Sequence, residues 1–239
     1  MVDPAGHPGA WNMAVDAALL VDAARTGRPT LRLYRWAPSC LSVGRNEPAR
    51  SRYDRRAIER LGLDVVRRPT GGRAVWHDAE VTYAVAAPVA AFGTLAESYR
   101  AIHERLAAAL RALGARAELA APRPASGVEA GPCFASPAGG EVLVDGRKVI
   151  GSAQVRRGTA FLQHGSILLD GSQDVINAIS YRPTAISSTS SLSAVLGRPI
   201  DFPEVADAIR TGWGTSFTVL DRPSPSSTAF ASPDWTWRR

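Results

Sequence analysis

Segments with the two-residue period of a strand alternate along this 239-residue chain with segments of helical period. That alternation restricts the fold to a mixed sheet covered by helices. Residues 11–25 have Trp11, Val15, Ala18 and Leu19 on one helical face, with Asp16 and Asp22 off it. Alternation predicts strands over 31–36 and 41–44, and a helix over 53–61 stopped by Gly62. Two strands, 63–69 and 73–77, flank a Thr70-Gly71-Gly72 turn that reads as a β-hairpin, and another strand covers 81–87. The longest helix, 95–113, opens on Thr94 and Glu97 at capping-box spacing and closes at Gly114. Residues 121–140 carry four Pro and four Gly and read as a loop. Residues 141–144 and 147–150 form a hairpin around Asp145-Gly146. A strand over 160–169, a Ser-rich stretch over 186–197 and a helix over 203–212 follow. Residues 1–221 are expected to form one domain, with a loosely ordered Pro/Ser-rich tail from 222 to 239. Periodicity leaves α/β and α+β both open.

Composition narrows the classes of function. No basic segment followed by an apolar run opens the chain, and no stretch approaches the ~20 apolar residues of a membrane span. Cys40 and Cys133 lie far apart and suggest no disulfide framework, so a reducing cytoplasm is expected. A net charge of +6 favours acidic partners. The arginines are scattered rather than gathered in a tract, so no nucleic acid is expected as a partner, and a small acidic protein fits the charge equally well.

Lys148 is the single lysine; every other cation among the 28 Lys and Arg residues is arginine. An ammonium is compact and changes its pKa readily, whereas a guanidinium is planar and permanently charged. Cys133 sits in the Gly/Pro-rich loop just before it. A nearby cation lowers a thiol's pKa from ~8.5, so the two form a candidate nucleophile and activator. Arg67, Arg68, Arg73 and His77 cluster around Gly71 and Gly72, where the backbone can approach a ligand closely. His77 and His164 have no third partner at metal-ligand spacing, so each is assigned to orienting a strand or lining a pocket, and no metal is expected. Cys40 reads as a core or strand-edge residue.

Three segments together, spanning roughly residues 9–215, resemble the lipoate–protein ligase A and octanoyltransferase group of cofactor transferases. They are Asn12-Met13-Ala14-Val15-Asp16, then Arg67 to Asp78 with Glu80-Val81-Thr82-Tyr83, and finally Asp145 to Gln154 with Leu162-Gln163-His164-Gly165-Ser166. Cys133-Phe134 before the hairpin, and Arg73 where ATP-dependent ligases usually have a third glycine, are similar to the cysteine-dependent octanoyltransferase branch. The resemblance implies an α+β fold like the biotin/lipoate protein ligase catalytic domain, a mixed β-sheet flanked by helices. It implies an acyl-thioester on Cys133, with Lys148 lowering the thiol pKa and positioning the acyl carbonyl. Arg68, Gly71, Gly72, Arg73, His77, Ser152, Ala153 and His164 match positions of the substrate site. The donor implied is octanoyl-acyl carrier protein and the acceptor a lysine of a lipoyl domain, such as the glycine cleavage H protein. No cofactor is required, since a thioester donor is already activated; the chain is expected to act as a monomer.

Three other readings stay open. An ATP-dependent lipoate–protein ligase would use ATP and Mg. An amidotransferase would take octanoyl from another lipoyl domain. A basic binding module would hold acyl carrier proteins or nucleic acid without turnover.

Overall fold

The computed structural model describes residues 1–121, 140–183, 190–214 and 228–239. Strand β1 (Val2–His7) leads into helix α1 (Gly9–Thr26), then β2 (Thr30–Trp36) and β3 (Cys40–Val43). Two short helices, α2 (Ala49–Arg52) and α3 (Arg55–Arg60), precede β4 (Asp64–Arg67), β5 (Val75–His77) and β6 (Glu80–Pro88). Helix α4 (Leu95–Ala112) is followed by β7 (Ala117–Leu119), β8 (Val142–Val144), β9 (Arg147–Lys148), β10 (Ile150–Arg157) and β11 (Ala160–Leu168). Helices α5 (Asp174–Ala178), α6 (Leu192–Leu196), α7 (Phe202–Gly212), α8 (Thr228–Ala231) and α9 (Pro233–Thr236) complete the described chain.

The main sheet has the order β1-β2-β6-β11-β10, with β1 parallel to β2 and the other pairs antiparallel. Its central strands are buried on both faces, so alternate residues feed different cores. Leu31, Leu33, Tyr83, Val85, Phe161 and Ile167 point towards Ile102, Leu106 and Leu110 of α4 and Val205 and Ile209 of α7. Their neighbours Tyr34, Trp36, Ala84, Ala86 and Leu162 pack with Met13, Val15 and Leu19 of α1. The small residues Ala84 and Ala86 let α1 lie close to the sheet.

A second sheet has the order β4-β3-β5. Here the expected hairpin around Thr70-Gly71-Gly72 is replaced by a crossing: β4 and β5 pair with opposite edges of β3, parallel and antiparallel respectively. The glycines therefore carry the reversing chain across the end of β3, so that β5 returns along the edge opposite β4 instead of beside it. Gly44, just after β3, lies so close to this crossing that a Cβ there would sit 1.8 Å from Gly72 O. Only a backbone without a side chain permits that approach.

Local signals hold where chemistry is local. Thr94 and Glu97 form the reciprocal capping box, and Asp54 caps α3. Asp145 and Gly146 both adopt positive φ, 49° and 73°, as a two-residue hairpin turn requires. The hairpin is shorter than expected because Ile150 leaves β9 and starts β10 in the main sheet. The expected helix over 53–61 begins two residues later, since Tyr53 turns aside to donate its hydroxyl to Glu47 at 2.7 Å. β1 and β10 escape the apolar pattern because both are sheet edges, the first carrying Pro4 and Gly6.

The expected loose tail is another difference. Residues 228–239 dock against the body: Trp235 Nε1 donates to Arg67 O at 2.8 Å, and Arg67 Nε donates to Thr236 O at 2.9 Å. Arg238 stacks on Trp235 and donates to Arg45 O at 2.6 Å. The expected domain boundary at 222 lies outside the described residues, as do the loop carrying Cys133-Phe134 and residues 184–189 of the Ser-rich stretch. Trp235→Ala should lower the unfolding free energy by about 1–2 kcal/mol through the lost hydrogen bond and ring packing. Unchanged urea denaturation would contradict this docking.

Candidate active site

Asp16 projects from the buried side of α1, contrary to its expected place off the apolar face, because it has three partners there. Arg32 Nη1 of β2 donates to Oδ1 at 2.7 Å, and Tyr34 Oη donates to Oδ2 at 2.9 Å. His164 Nδ1 of β11 meets Oδ2 at 2.9 Å. Burial alone would raise the carboxyl's pKa, but the His164 hydrogen bond and the Arg32 guanidinium more than offset it, so Asp16 lies below its ordinary value. Burial lowers the pKa of His164, against the pull of Asp16. The resting state is therefore Asp16 anionic, Arg32 cationic and His164 neutral, with its proton on Nδ1. Nε2 then accepts from Thr70 Oγ1 at 2.6 Å, which fixes the crossing loop to β11.

The two arginines of Arg67-Arg68 diverge. Arg67 reaches the carbonyls of Gly44, Arg45 and Glu47, away from the main sheet. Arg68 donates to Gly71 O, Arg73 O, Ser42 O and Ser42 Oγ at 2.6–3.1 Å. Its guanidinium is thus committed to holding the crossing loop against β3. His77 stacks on Trp36 with ring centroids 4.0 Å apart, meets Glu80 Oε1 through Nδ1 at 2.8 Å and Ser42 Oγ through Nε2 at 2.7 Å.

These residues enclose a cavity of about 340 Å³, counting the space at its mouth. Met13, Tyr34, Trp36 and Val75 give it apolar walls; Ser42, Arg68, His77, His164 and Ser166 give it polar edges. Gly151, Ser152, Ala153 and Gly165 complete it where β10 and β11 pair. A Cβ on Gly165 would meet Gly151 O at 2.5 Å and Ser152 Oγ at 2.6 Å, so glycine is required there.

Of the sequence-derived candidates, Arg68, His77, Ser152, Ala153 and His164 line this cavity. Gly71, Gly72 and Arg73 form the crossing loop beside it, Arg73 through its carbonyl. Lys148 is buried and paired with Glu141 Oε1 at 2.8 Å, outside the lining. Cys133 lies outside the described residues. Among the described residues that flank it, Ala120 N donates to Glu141 O at 2.8 Å and Gly140 N to Ala120 O at 2.9 Å. Cys40 is buried in the core, where desolvation and Asp64 push its thiol well up and make it inert. Among the described residues, no group of three or more His, Cys, Asp and Glu could hold a metal ion, and no helix is long and apolar enough to cross a membrane.

Sequence reading missed Asp16, Tyr34, Trp36, Ser42 and Thr70 as site residues. No local signal was available for Asp16: Arg32 and Arg35 sit in an alternating run that reads as a strand with one polar face, whereas Arg32 is buried and needs a partner there.

Asp16→Asn should cost about 3–5 kcal/mol, because it leaves Arg32 buried without its carboxylate. A loss below about 1 kcal/mol in urea unfolding would contradict this hub. Wild-type stability should also fall with pH. Because His103 and His164 are held below the ordinary imidazole value of about 6.5, the former at about 4, the unfolded chain binds more protons below pH ~6.5. The contribution of Asp16 is full above ~3.9 and is lost as pH falls from there towards its lowered folded value. A melting temperature constant from pH 7 to 4 would contradict these assignments.

Residues 8–213 match the family described as the lipoyl protein ligase A/B catalytic domain. An octanoyltransferase LipM from Carboxydothermus hydrogenoformans is 45% identical over 172 residues, covering 70% of this chain; the match spans just under two thirds, 64%, of that relative. Another from Kyrpidia tusciae is 40% identical over 229 residues, covering 85% of this chain and 81% of the relative. Among solved structures, a lipoate-protein ligase A bound with ATP superposes with a TM-score of 0.77 at 20% identity, covering 99% of this chain and 96% of that one, a likeness of fold. With its α+β architecture of mixed sheets and this match over most of its length, the chain belongs to the lipoyl protein ligase A/B catalytic domain family.

Proposed function

We propose that the chain is an octanoyltransferase of lipoate biosynthesis, taking octanoyl from octanoyl-acyl carrier protein onto Cys133 and passing it to a lysine of a lipoyl domain. The observation that carries this reading is the cavity itself. Apolar walls of Met13, Tyr34, Trp36 and Val75 suit an alkyl chain, and polar groups from the Arg68–His77 segment and from β10 and β11 edge the same space. Each methylene buried there would contribute roughly 0.8 kcal/mol, enough to discriminate chain length. Relatives carrying the octanoyltransferase name support the acyl group and the reaction.

The first half-reaction exchanges one thioester for another, so no ATP or other cofactor is needed. Cys133 sulfur attacks the carbonyl, the carrier's sulfur leaves, and its proton balance is met by the thiol proton. Lys148, held in place by Glu141, supplies a compact positive charge that favours the attacking thiolate. The second half-reaction forms an amide and releases the Cys133 thiol. Net positive charge favours encounter with acidic carrier and lipoyl-domain proteins.

Intact mass after mixing with octanoyl-acyl carrier protein, without ATP, should show one octanoyl adduct that hydroxylamine removes and Cys133→Ser abolishes. No adduct, with octanoate or lipoate consumed only when ATP is present, would contradict this and indicate a ligase. Lys148→Met should slow adduct formation about tenfold or more at pH 7 and move the reactive thiol's titration upwards. An unchanged rate and profile would remove Lys148 from the chemistry.

A further inference from the structure

One hydrogen-bond chain runs from Gln163 of the main sheet to the carbonyl of Gly140. Gln163 Nε2 donates to Tyr83 Oη at 2.9 Å. Tyr83 Oη lies 2.6 Å from Ser152 Oγ, which lies 2.8 Å from His103 Nε2. His103 Nδ1 lies 2.7 Å from Gly140 O. A carbonyl only accepts, so His103 Nδ1 carries a proton. Burial and the nearby Lys148 ammonium hold His103 down to about 4, so at neutral pH its Nε2 has no proton and accepts. Two hydroxyls face that nitrogen, Ser152 Oγ at 2.8 Å and Tyr83 Oη at 3.3 Å, and the nearer one, Ser152, gives its proton to His103. Tyr83, already accepting from Gln163, gives its own proton to Ser152.

Of the five side chains and backbone groups in this relay, Ser152 is the one that lines the cavity. Its single proton is spent on His103, and one of its two lone pairs is taken by Tyr83. What remains towards the cavity is an acceptor, so Ser152 suits an N–H group and offers no donor to an acyl carbonyl.

We propose that Ser152 Oγ accepts a hydrogen bond from the attacking lysine amine of the acceptor protein, and that His103 is the positioning residue that fixes this polarity. The inference rests on the acyl-transfer reading above. In that step the amine nitrogen bonds to the acyl carbon, the carbon–sulfur bond breaks, and the proton released by nitrogen ends on the departing sulfur. Ser152 takes no proton; it orients the neutral amine, whose lone pair must face the carbonyl.

The acyl carbonyl is common to both half-reactions, whereas the amine takes part only in the second. Measuring the two separately therefore isolates the role of Ser152. With octanoyl-acyl carrier protein as donor, Ser152→Ala should lose less in adduct formation than in the transfer that follows. Transfer from the isolated octanoyl-protein to a lipoyl domain should fall about tenfold or more. His103→Leu, which frees the Ser152 hydroxyl to donate, should show the same split, and His103→Gln, whose amide oxygen can accept from Ser152, should restore part of it. Equal losses in both half-reactions, or no loss in either, would overturn the assignment. If His103→Leu fails to fold, Ser152→Ala, which removes only one oxygen, decides alone. A wild-type protein that forms no adduct would bring down the acyl-transfer reading as well, an outcome distinct from equal losses.

Discussion

Asp16 is a buried carboxylate whose three side-chain partners come from two strands of the main sheet, and the site is assembled around it. Through Arg32 and Tyr34 it holds α1 on β2; through His164 it holds α1 on β11. His164 in turn reaches Thr70, so the crossing loop of the second sheet is registered to the first through one imidazole. Taking two charges out of water is expensive, and only good geometry with further hydrogen bonds offsets that cost. Asn12 supplies those bonds, its backbone and side-chain oxygens accepting from Arg32 at 3.1 and 2.6 Å. Removing either charge leaves the other stranded, which makes the arrangement all-or-none.

That hub explains how an apolar cavity and polar edges coexist. Met13, one turn before Asp16 on α1, is set against Tyr34 and Trp36 by the same contacts that orient the carboxylate. Arg68 uses all the donors described for it on Ser42 and the carbonyls of Gly71 and Arg73. Its place in the site is to hold two backbone segments together. Gly44 and Gly165 permit approaches that any side chain would block, one beneath the crossing loop and one at the β10–β11 pairing.

Features decided within a few residues were legible in the sequence. The Thr94–Glu97 capping box, the Asp145-Gly146 turn and the helix over 95–113 follow from local chemistry. Features decided across the chain were not. Edge strands β1 and β10 lack the near-continuous apolar run of strands buried on both faces, and Asp16 looks solvent-facing until Arg32, sixteen residues away, supplies its partner. The Thr70-Gly71-Gly72 segment reads as a hairpin because two strands flank it; only pairing with β3 reveals a crossing. In the same way, Arg67 and Arg68 look equivalent as a pair, yet neighbouring residues at the end of a strand face opposite ways. One anchors residues 228–239 and the other borders the cavity.

The most direct test is a crystal structure of the octanoylated protein. The account predicts the alkyl chain inside the cavity, against Met13, Tyr34, Trp36 and Val75, with its carbonyl end towards Ser152 and the base of the Cys133 loop. An octanoyl chain lying on the surface or in another part of the fold, with this cavity collapsed or filled only by water, would contradict it.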